Sequence, residues 1–519
     1  MGAGVGLLLD DVHRGVLGQV PGRGRARDPG TDDDHPHPVS LPRPPPGPSV
    51  GESPAEIDAD SGHPVPISSP IWQRAHGPAG SATGYISPDA RVYRQTVYNP
   101  ARRVGREQRS GSQQHPTRRS VVRDGLTIID TDTHVWPSVE VLKRYADRKL
   151  LDRWDAELAH YERRVELPLT YGDPEEPWTN LSIEPRGYLR EIGEKSHLEE
   201  ELGAGGRAAL EGKIRGLVVT EDSPRYGVGH DNAEGRIADM DREGTDVHLL
   251  IPGTWPQSVT VCPTDVATGL YESYARYMAD FCSIDTGRLK SLLQLTGEDV
   301  EWSVGHIEEW ADQPAVAGAM LALAEGFPID DPDLEPIWAA MAAADLPLLH
   351  HSFFYEPPYF PGYRDVWDNI VVARTAAHPW GAQLRLAYLL LSGVFDRHPN
   401  FRVGFSETGC GWLPEWLLRL DGQSRHLKSK GPALSMLPSE YARAGHVYCG
   451  IELYEGRKIY DYVDSVLGDG VLMYQSDFPH AQCRFPDSPG AALEWGIEDS
   501  AKREKLFSGN ATRFLRMAA

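Results

Sequence analysis

Acidic and imidazole side chains alternate in one short stretch of the chain, Asp130-Thr131-Asp132-Thr133-His134. Successive side chains of a strand point to opposite faces, so in a strand Asp130, Asp132 and His134 project from one face. Pro137 then ends the pairing, because it has no amide proton to donate. A carboxylate and a ring nitrogen at this spacing suit a metal ion beyond the carboxyl end of the strand. Strings of the type D-x-H also arise by chance, so this stretch indicates a metal site only if other parts of the chain supply further ligands.

Residues of the same chemical types follow other apolar runs. His350 and His351 end one run. Glu407 follows a second run, and Asp477 follows a third. In an α/β barrel the carboxyl ends of the strands form the active site. A lone histidine is more simply a hydrogen-bonded core residue, but a set at separate strand ends favours a metal site.

The elements that must position these residues are eight apolar runs alternating with amphipathic segments. The runs are Leu126–Ile129, Val247–Ile251, Leu289–Leu295, Ala315–Leu323, Leu346–His350, Phe401–Phe405, His446–Ile451 and Val471–Tyr474. Eight buried strands that alternate with helices predict a TIM-like (β/α)8 barrel. An open Rossmann-like sheet is the alternative, but no G-x-G-x-x-G follows any of these runs.

The chain divides into parts of different composition. Residues 1–120 contain no lysine and no phenylalanine and are rich in proline, which is typical of a disordered leader or of a wrongly assigned start. We expect the barrel to occupy residues 121–519 and assign the leader no chemistry. Residues 135–235, between the first two runs, are predicted to be an insertion that covers the carboxyl-end face.

Composition excludes several classes of protein. The 75 acidic residues outnumber the 52 basic ones, and the formal charge of −23 argues against binding to nucleic acid or anionic membranes. The five cysteines show no C-x-x-C spacing, so no disulfide framework is expected. No run approaches the roughly 18 apolar residues of a membrane span. These features predict a cytoplasmic protein.

Seven segments in order resemble the amidohydrolase superfamily, and in particular the amidohydrolase-related branch that includes aminocarboxymuconate-semialdehyde decarboxylase. They are Asp130–His134, Asp239–Val247, Asp345–His351, Ser392–Pro399, Glu407–Trp412, Ser476–His480 and Gly509–Arg513. The resemblance covers the chain from about Leu126 to its end. It agrees with the barrel inferred from the apolar runs.

The resemblance implies one divalent metal ion at the mouth of the barrel. Its expected ligands are Asp132, His134, one histidine of the next motif, and Asp477. The position of that histidine in the family pattern favours His351 over His350. Two carboxylates and two imidazoles suit zinc best, with manganese and iron as alternatives.

Four residues near strand ends are expected to contact the substrate: His350, Trp136, Trp255 and His378. A loop dense in aromatic residues, Ser352–Arg364, favours an aromatic or unsaturated ligand. The family relationship suggests a homodimer.

The resemblance also implies roles for two carboxylates in catalysis. Glu407 stands where the well-studied decarboxylases of the family have an acid/base histidine, which weakens the decarboxylase interpretation. We therefore expect first a metal-dependent hydrolase, in which activated water attacks an amide, ester or lactone and Asp477 or Glu407 handles the proton. The alternative is a non-oxidative carboxy-lyase. A catalytically silent binding protein is a third hypothesis, and the intact set of ligand positions argues against it.

Overall fold

The structure is a computed structural model of the full chain. It describes residues 125–165, 178–183, 231–253, 255–324, 327–352, 370–480 and 483–517. The predicted leader (residues 1–120) lies outside the described residues, as do residues 353–364 of the aromatic loop and part of the predicted insertion.

Parallel strands form the centre of the described chain. The described residues form ten strands: β1 (Ile129–Val135), β2 (Glu162–Val165), β3 (Trp178–Leu181), β4 (Val247–Pro252), β5 (Leu289–Thr296), β6 (Val316–Ala322), β7 (Leu348–His351), β8 (Val403–Ser406), β9 (Val447–Gly450) and β10 (Leu472–Met473). Eight of these make one sheet in the order β1-β4-β5-β6-β7-β8-β9-β10. The sheet closes on itself, because Thr133 of β1 bridges Phe478, just beyond β10. The predicted (β/α)8 barrel is confirmed.

Helices alternate with the barrel strands along the chain. The described α-helices are α1 (Val139–Tyr145), α2 (Arg148–Glu157), α3 (Ala233–Glu243), α4 (Trp255–Ser258), α5 (Thr264–Phe281), α6 (Val300–Trp310), α7 (Glu335–Ala343), α8 (Ile370–Leu391), α9 (Val394–Arg397), α10 (Leu413–His426), α11 (Pro438–Ala444), α12 (Gly456–Leu467), α13 (Ser488–Leu493), α14 (Ser500–Glu504) and α15 (Asn510–Phe514). The side chains of Ser138 and Asp299 accept hydrogen bonds from amides in the first turns of α1 and α6. None of the helices in the described ranges is long and apolar enough to cross a membrane.

The first strand lies later in the chain than its apolar run predicts, because polar residues form most of β1. Thr131 Oγ1 donates to the carbonyl of Tyr474 and Thr133 Oγ1 to the carbonyl of Leu249, both at 2.9 Å. These bonds satisfy buried hydroxyl groups. A polar sequence can therefore run through the protein interior as a strand.

A β-bulge interrupts the regular alternation of β1. The pairing with β4 shifts register between Asp130 and Thr133. An extra residue in one strand breaks the two-residue repeat of side-chain direction. Asp130 Oδ1 accepts hydrogen bonds from the amides of Asp132 and Ser476 at 3.2 and 3.0 Å. Asp130 therefore bonds to backbone amides in surroundings that differ from those of Asp132, although the regular alternation of a strand would place both side chains on one face.

The amino end of the barrel is closed by the last helix. One apolar cluster joins strand residues to α15: Ile129, Val247, Leu249, Ile251, Leu292, Met320, Leu349, Tyr448, Met473 and Phe514. Gly404, the second residue of β8, admits the Phe514 ring, since a Cβ there would lie 2.5 Å from a ring atom. The carboxyl end of the barrel is the end where polar side chains collect.

The part of the predicted insertion that the structure describes packs against α5. The helices α1 and α2 both contact α5, and β2 pairs with β3 in an antiparallel ribbon. The buried Trp154 of α2 donates from Nε1 to Glu162 Oε1 at 2.7 Å. The covering of the active-site face by residues 135–235 stays a prediction.

Candidate metal centre

Asp132, His134 and His351 converge from two strands of the barrel. One ligand-type atom from each lies within 4.8 Å of the others, a spacing that one metal ion can bridge. Asp132 Oδ1 lies 3.4 Å from His134 Nε2 and 3.5 Å from His351 Nε2. His351 is the member of its histidine pair that faces Asp132. The assignment of these residues as ligands stays a prediction that the geometry can accommodate.

The surroundings of Asp132 fit a bound cation. Asp132 is fully buried, and neither of its carboxylate oxygens has a hydrogen-bond partner in the structure. A buried carboxylate without compensation is costly, and a divalent cation supplies that compensation. Burial and the neighbouring His480 lower the pKa of His134 to about 4, which keeps its imidazole in the neutral form that binds metals. The residues present therefore suit a divalent metal ion.

Asp477 lies beside the same group. Its Oδ1 is 2.9 Å from His134 Nε2, and its carboxylate is 2.9 Å from His480 Nδ1. The Asp477 amide donates to the carbonyl of Asp132 at 3.0 Å, so the ends of β1 and β10 are tied together at the site. Burial alone raises the pKa of Asp477, but His480 and His134 outweigh burial and hold this pKa well below its usual value. Asp477 is therefore a carboxylate, as a metal ligand must be.

Glu407, the second predicted catalytic carboxylate, reaches the cluster from the end of β8. Its Oε2 lies 3.3 Å from His351 Nε2. The loop that follows is held by Glu455, whose carboxylate accepts hydrogen bonds from the amides of Cys410 and Gly411 at 2.9 to 3.0 Å. Gly409 is required in this loop, since its φ is +66° and a Cβ would lie 2.9 Å from Glu455 Oε1.

Two predicted substrate contacts, His350 and His378, form a chain of hydrogen bonds around Ser352. His350 Nε2 lies 3.2 Å from Ser352 Oγ, which donates to the carbonyl of His378 at 2.9 Å. His378 Nδ1 donates to the carbonyl of Glu407 at 2.9 Å. Burial, with the positive charge of Arg385, holds the pKa of His350 well below its usual value. These contacts attach α8 to the ends of β7 and β8, and a role for either histidine in substrate binding stays a prediction.

The two predicted tryptophan contacts have different surroundings. Trp136 stacks on His134 and His480, with ring centroids 5.3 and 5.0 Å apart. Trp255 is buried, with the rings of Tyr271 and Tyr274 at 6.2 and 6.0 Å. Trp136 therefore adjoins the candidate metal centre, whereas Trp255 belongs to the apolar core between β4 and α5.

Two further residues adjoin the site, and neither is among the predicted ligands or substrate contacts. His480 contacts both Asp477 and His134, and it ends the motif Ser476–His480, so its place in the motif was a signal. Arg236 of α3 donates from Nη2 to the carbonyl of His134. No spacing rule connects Arg236 with a ligand so far away in sequence, and only the fold brings them together.

Solved structures share this architecture. A 5-carboxyvanillate decarboxylase from Sphingomonas paucimobilis aligns with a TM-score of 0.50 at 20% identity, covering 76% of this chain and 100% of that one. The enzyme of the same name from Novosphingobium aromaticivorans was solved with manganese and 4-hydroxy-3-methoxy-5-nitrobenzoic acid. It aligns with a TM-score of 0.52 at 19% identity, covering 76% of this chain and 97% of that one. An amidohydrolase from Mycobacterium avium subsp. paratuberculosis aligns with a TM-score of 0.54 at 16% identity, covering 75% of this chain and 99% of that one. At these identities the similarities establish the fold.

The comparisons correct the activity expected first from the sequence. The two enzymes described above whose reaction is named are decarboxylases, so the expectation of a hydrolase is wrong and its alternative, a carboxy-lyase, is the better supported one. The physical reason is that both reactions use a metal ion and carboxylates at the mouth of the same barrel. Residue types at strand ends do not separate them.

The comparison by sequence gives the family. No curated protein sequence matches the chain. A family profile described as amidohydrolase matches residues 129–517, which is more than half of the chain and begins at β1. The predicted relationship is confirmed, and the chain belongs to the amidohydrolase family.

Proposed function

We propose that this protein catalyses the non-oxidative decarboxylation of a small aromatic carboxylic acid that carries a hydroxyl group next to the carboxylate. The observation that carries the proposal is the convergence of Asp132, His134 and His351 with two further carboxylates, Asp477 and Glu407. Similarity to barrels that decarboxylate 5-carboxyvanillate supports it.

We propose Asp132, His134, His351 and Asp477 as the residues that hold one divalent ion. The oxygen content of this set favours manganese ahead of the zinc expected from the sequence, because carboxylates suit manganese better than they suit softer ions. The similar enzyme from Novosphingobium aromaticivorans was solved with manganese. When bound, such an ion supplies a Lewis acid that orients the carboxylate and hydroxyl oxygens of the substrate.

The chain's own contribution to the reaction is a proton. The bond between the ring carbon and the carboxylate breaks, CO2 leaves, and the electron pair stays on the ring carbon. That carbon takes a proton from the carboxyl group of Glu407, which recovers one from water, while Asp477 stays ionised as a proposed metal ligand. The aromatic wall beside His134 is Trp136, and we propose that it limits how the ring lies in the site.

Product analysis tests the proposal. Manganese-loaded protein is incubated in D2O with a panel of hydroxybenzoic and dicarboxylic aromatic acids, and separately with matched amides, esters and lactones. We expect CO2 and one deuterium at the vacated ring carbon. Cleavage of the amides or lactones without release of CO2 contradicts the proposal. Asp132→Ala and His134→Ala serve as controls, because both should lose the metal and the activity.

A further inference from the structure

Arg236 is a buried cation outside the set of proposed ligands. It lies on α3, and its side chain is 0% exposed. Arginine is almost never fully buried unless its charge is paired, since removing the guanidinium from water is costly. Its position therefore calls for contacts that use the guanidinium group.

The contacts of Arg236 fall on the strand ends that carry two proposed ligands. Nη2 donates to the carbonyl of His134 at the end of β1. The guanidinium carbon lies 4.8 Å from the centroid of the Phe478 ring, and Phe478 directly follows Asp477. The His134 amide also donates to the carbonyl of Phe478 at 2.7 Å. One side chain thus covers the junction where β1 meets the chain beyond β10.

A third contact ties this junction to β4. Nη1 of Arg236 lies 3.5 Å from Nδ1 of His248, and Nε2 of His248 lies 2.8 Å from Thr245 Oγ1. His248 also groups with Asp130 and Glu243 within 4.8 Å. Arg236 therefore reaches a residue of β4 as well as the end of β1 and the segment beyond β10.

We propose that Arg236 is a positioning residue for the metal centre. By holding the His134 carbonyl and the Phe478 ring together, it fixes the separation of His134 Nε2 and Asp477 Oδ1, which is 2.9 Å. Groups that orient metal ligands typically change metal affinity about 10- to 100-fold when removed. This inference rests on the proposed function only for the presence of a metal, and not for the reaction.

Metal titration of the full-length protein tests the role of Arg236. Manganese is titrated by calorimetry into metal-free wild type, Arg236→Met and Arg236→Lys, and the electron paramagnetic resonance spectrum of bound manganese is recorded. We expect Arg236→Met to bind manganese about tenfold or more weakly with an altered spectrum. Arg236→Lys should recover part of the affinity, because an ammonium group reaches one contact of the guanidinium but not all of them.

A matched control separates positioning from general stability. Arg402 precedes β8 at the opposite end of the barrel, where it donates to Asp345 Oδ1 at 2.7 Å and to the Phe514 carbonyl at 3.2 Å. Arg402→Met should lower the unfolding temperature of the metal-free protein and leave manganese affinity unchanged. Loss of affinity in the Arg402 variant equal to that in Arg236→Met overturns the inference.

The remaining outcomes distinguish this inference from the proposed function. Wild type that binds no divalent metal defeats both. Wild type and Arg236→Met with equal affinities and spectra defeat the positioning role and leave the proposed function standing. Should Arg236→Met not fold, Arg236→Lys decides, since wild-type affinity in that variant overturns the proposal.

Discussion

Two carboxylate residues at the site have backbone conformations that L-residues rarely adopt. The φ angles of Glu407 and Asp477 are +53° and +62°. A non-glycine residue in this left-handed region costs of order 1–3 kcal/mol, and it persists only where the surrounding structure requires it. At Asp477 the requirement is the bond from its amide to Asp132, and at Glu407 it is the turn that Glu455 holds. Both conformations direct a carboxylate toward the candidate metal centre.

Glu407 provides a first test at the scale of a single residue. Glu407→Gln keeps the size of the side chain and removes the exchangeable carboxyl proton. We expect kcat for CO2 release to fall about 10²-fold or more, with one metal ion still bound per chain. Steady-state kinetics and metal analysis measure the two quantities. Glu335→Gln, at an exposed ion pair with Arg397, is the control. A kcat within threefold of wild type contradicts the role of Glu407.

His248 predicts how stability depends on pH. Burial, then the charges of Arg236 and Arg288, hold its pKa well below the usual 6.5, while Asp130 and Glu243 lie nearby. The unfolded chain therefore binds a proton below pH 6.5 that the folded chain does not. The contribution of neutral His248 to the free energy of unfolding is fully present above pH 6.5. It is lost as pH falls below 6.5, by at most about 1.4 kcal/mol per pH unit.

The measurement is urea unfolding of the metal-free protein at pH 7.5 and 5.5. Wild type should lose more free energy of unfolding between these two values than His248→Gln, which cannot take up the proton. Equal losses in the two proteins show that His248 is protonated equally in the folded and unfolded states.

At the scale of elements, loops from neighbouring strands support each other at the carboxyl end of the barrel. Gly253 follows β4 and lies under Trp136, which follows β1. A Cβ at Gly253 would lie 1.6 Å from the indole ring. The stack of Trp136 on His134 therefore depends on a glycine in another loop.

Gly253→Ala tests this support. The added methyl group must displace the indole, so we expect a loss of about 1–3 kcal/mol in stability and a rise in KM for the aromatic substrate. Gly305→Ala is the matched control, because Gly305 is on α6 with no neighbouring segment within 4 Å of the position that a methyl group would take, and this variant should gain up to about 1 kcal/mol. Urea unfolding and steady-state kinetics measure both variants. Unchanged stability and KM in Gly253→Ala would show that Trp136 can move without cost.

At the scale of the whole molecule, the candidate metal centre joins strands from distant parts of the chain. Its residues come from β1, β7 and the segments beyond β8 and β10, so a bound ion adds cross-links to the barrel. A ligand that binds only the folded chain stabilises it by RT ln(1 + [L]/Kd), about 2.7 kcal/mol at a free concentration of 100 Kd. We therefore expect folding and metal binding to be coupled.

Removal of metal should lower the unfolding temperature by a few degrees. Scanning calorimetry of wild type with manganese and with excess chelator measures the difference. In Asp132→Asn the difference should vanish, and the metal-free variant should unfold at a higher temperature than metal-free wild type, because it no longer buries a carboxylate without hydrogen bonds. An equal response to chelator in both proteins places the metal elsewhere.

The sequence by itself determined the architecture and the types of residue at the site. Apolar runs of strand length that alternate with amphipathic segments predict a parallel sheet covered by helices, because buried parallel strands need helices against them, and eight such runs without a G-x-G-x-x-G favour a barrel over an open sheet. The carboxyl ends of such strands meet at one face. That rule predicted that Asp132, His134, Asp477 and a histidine of the pair His350-His351 come together, and the resemblance to the family favoured His351.

Only the tertiary structure decided the details that depend on contacts between distant segments. The bulge in β1 separates Asp130 from Asp132, and it arises from the register with β4. Arg236 and Glu455 act on residues far away in sequence, and no local periodicity encodes such contacts. The choice between hydrolysis and decarboxylation depends on where a substrate carbon lies relative to a proton donor, a distance that residue types alone do not contain.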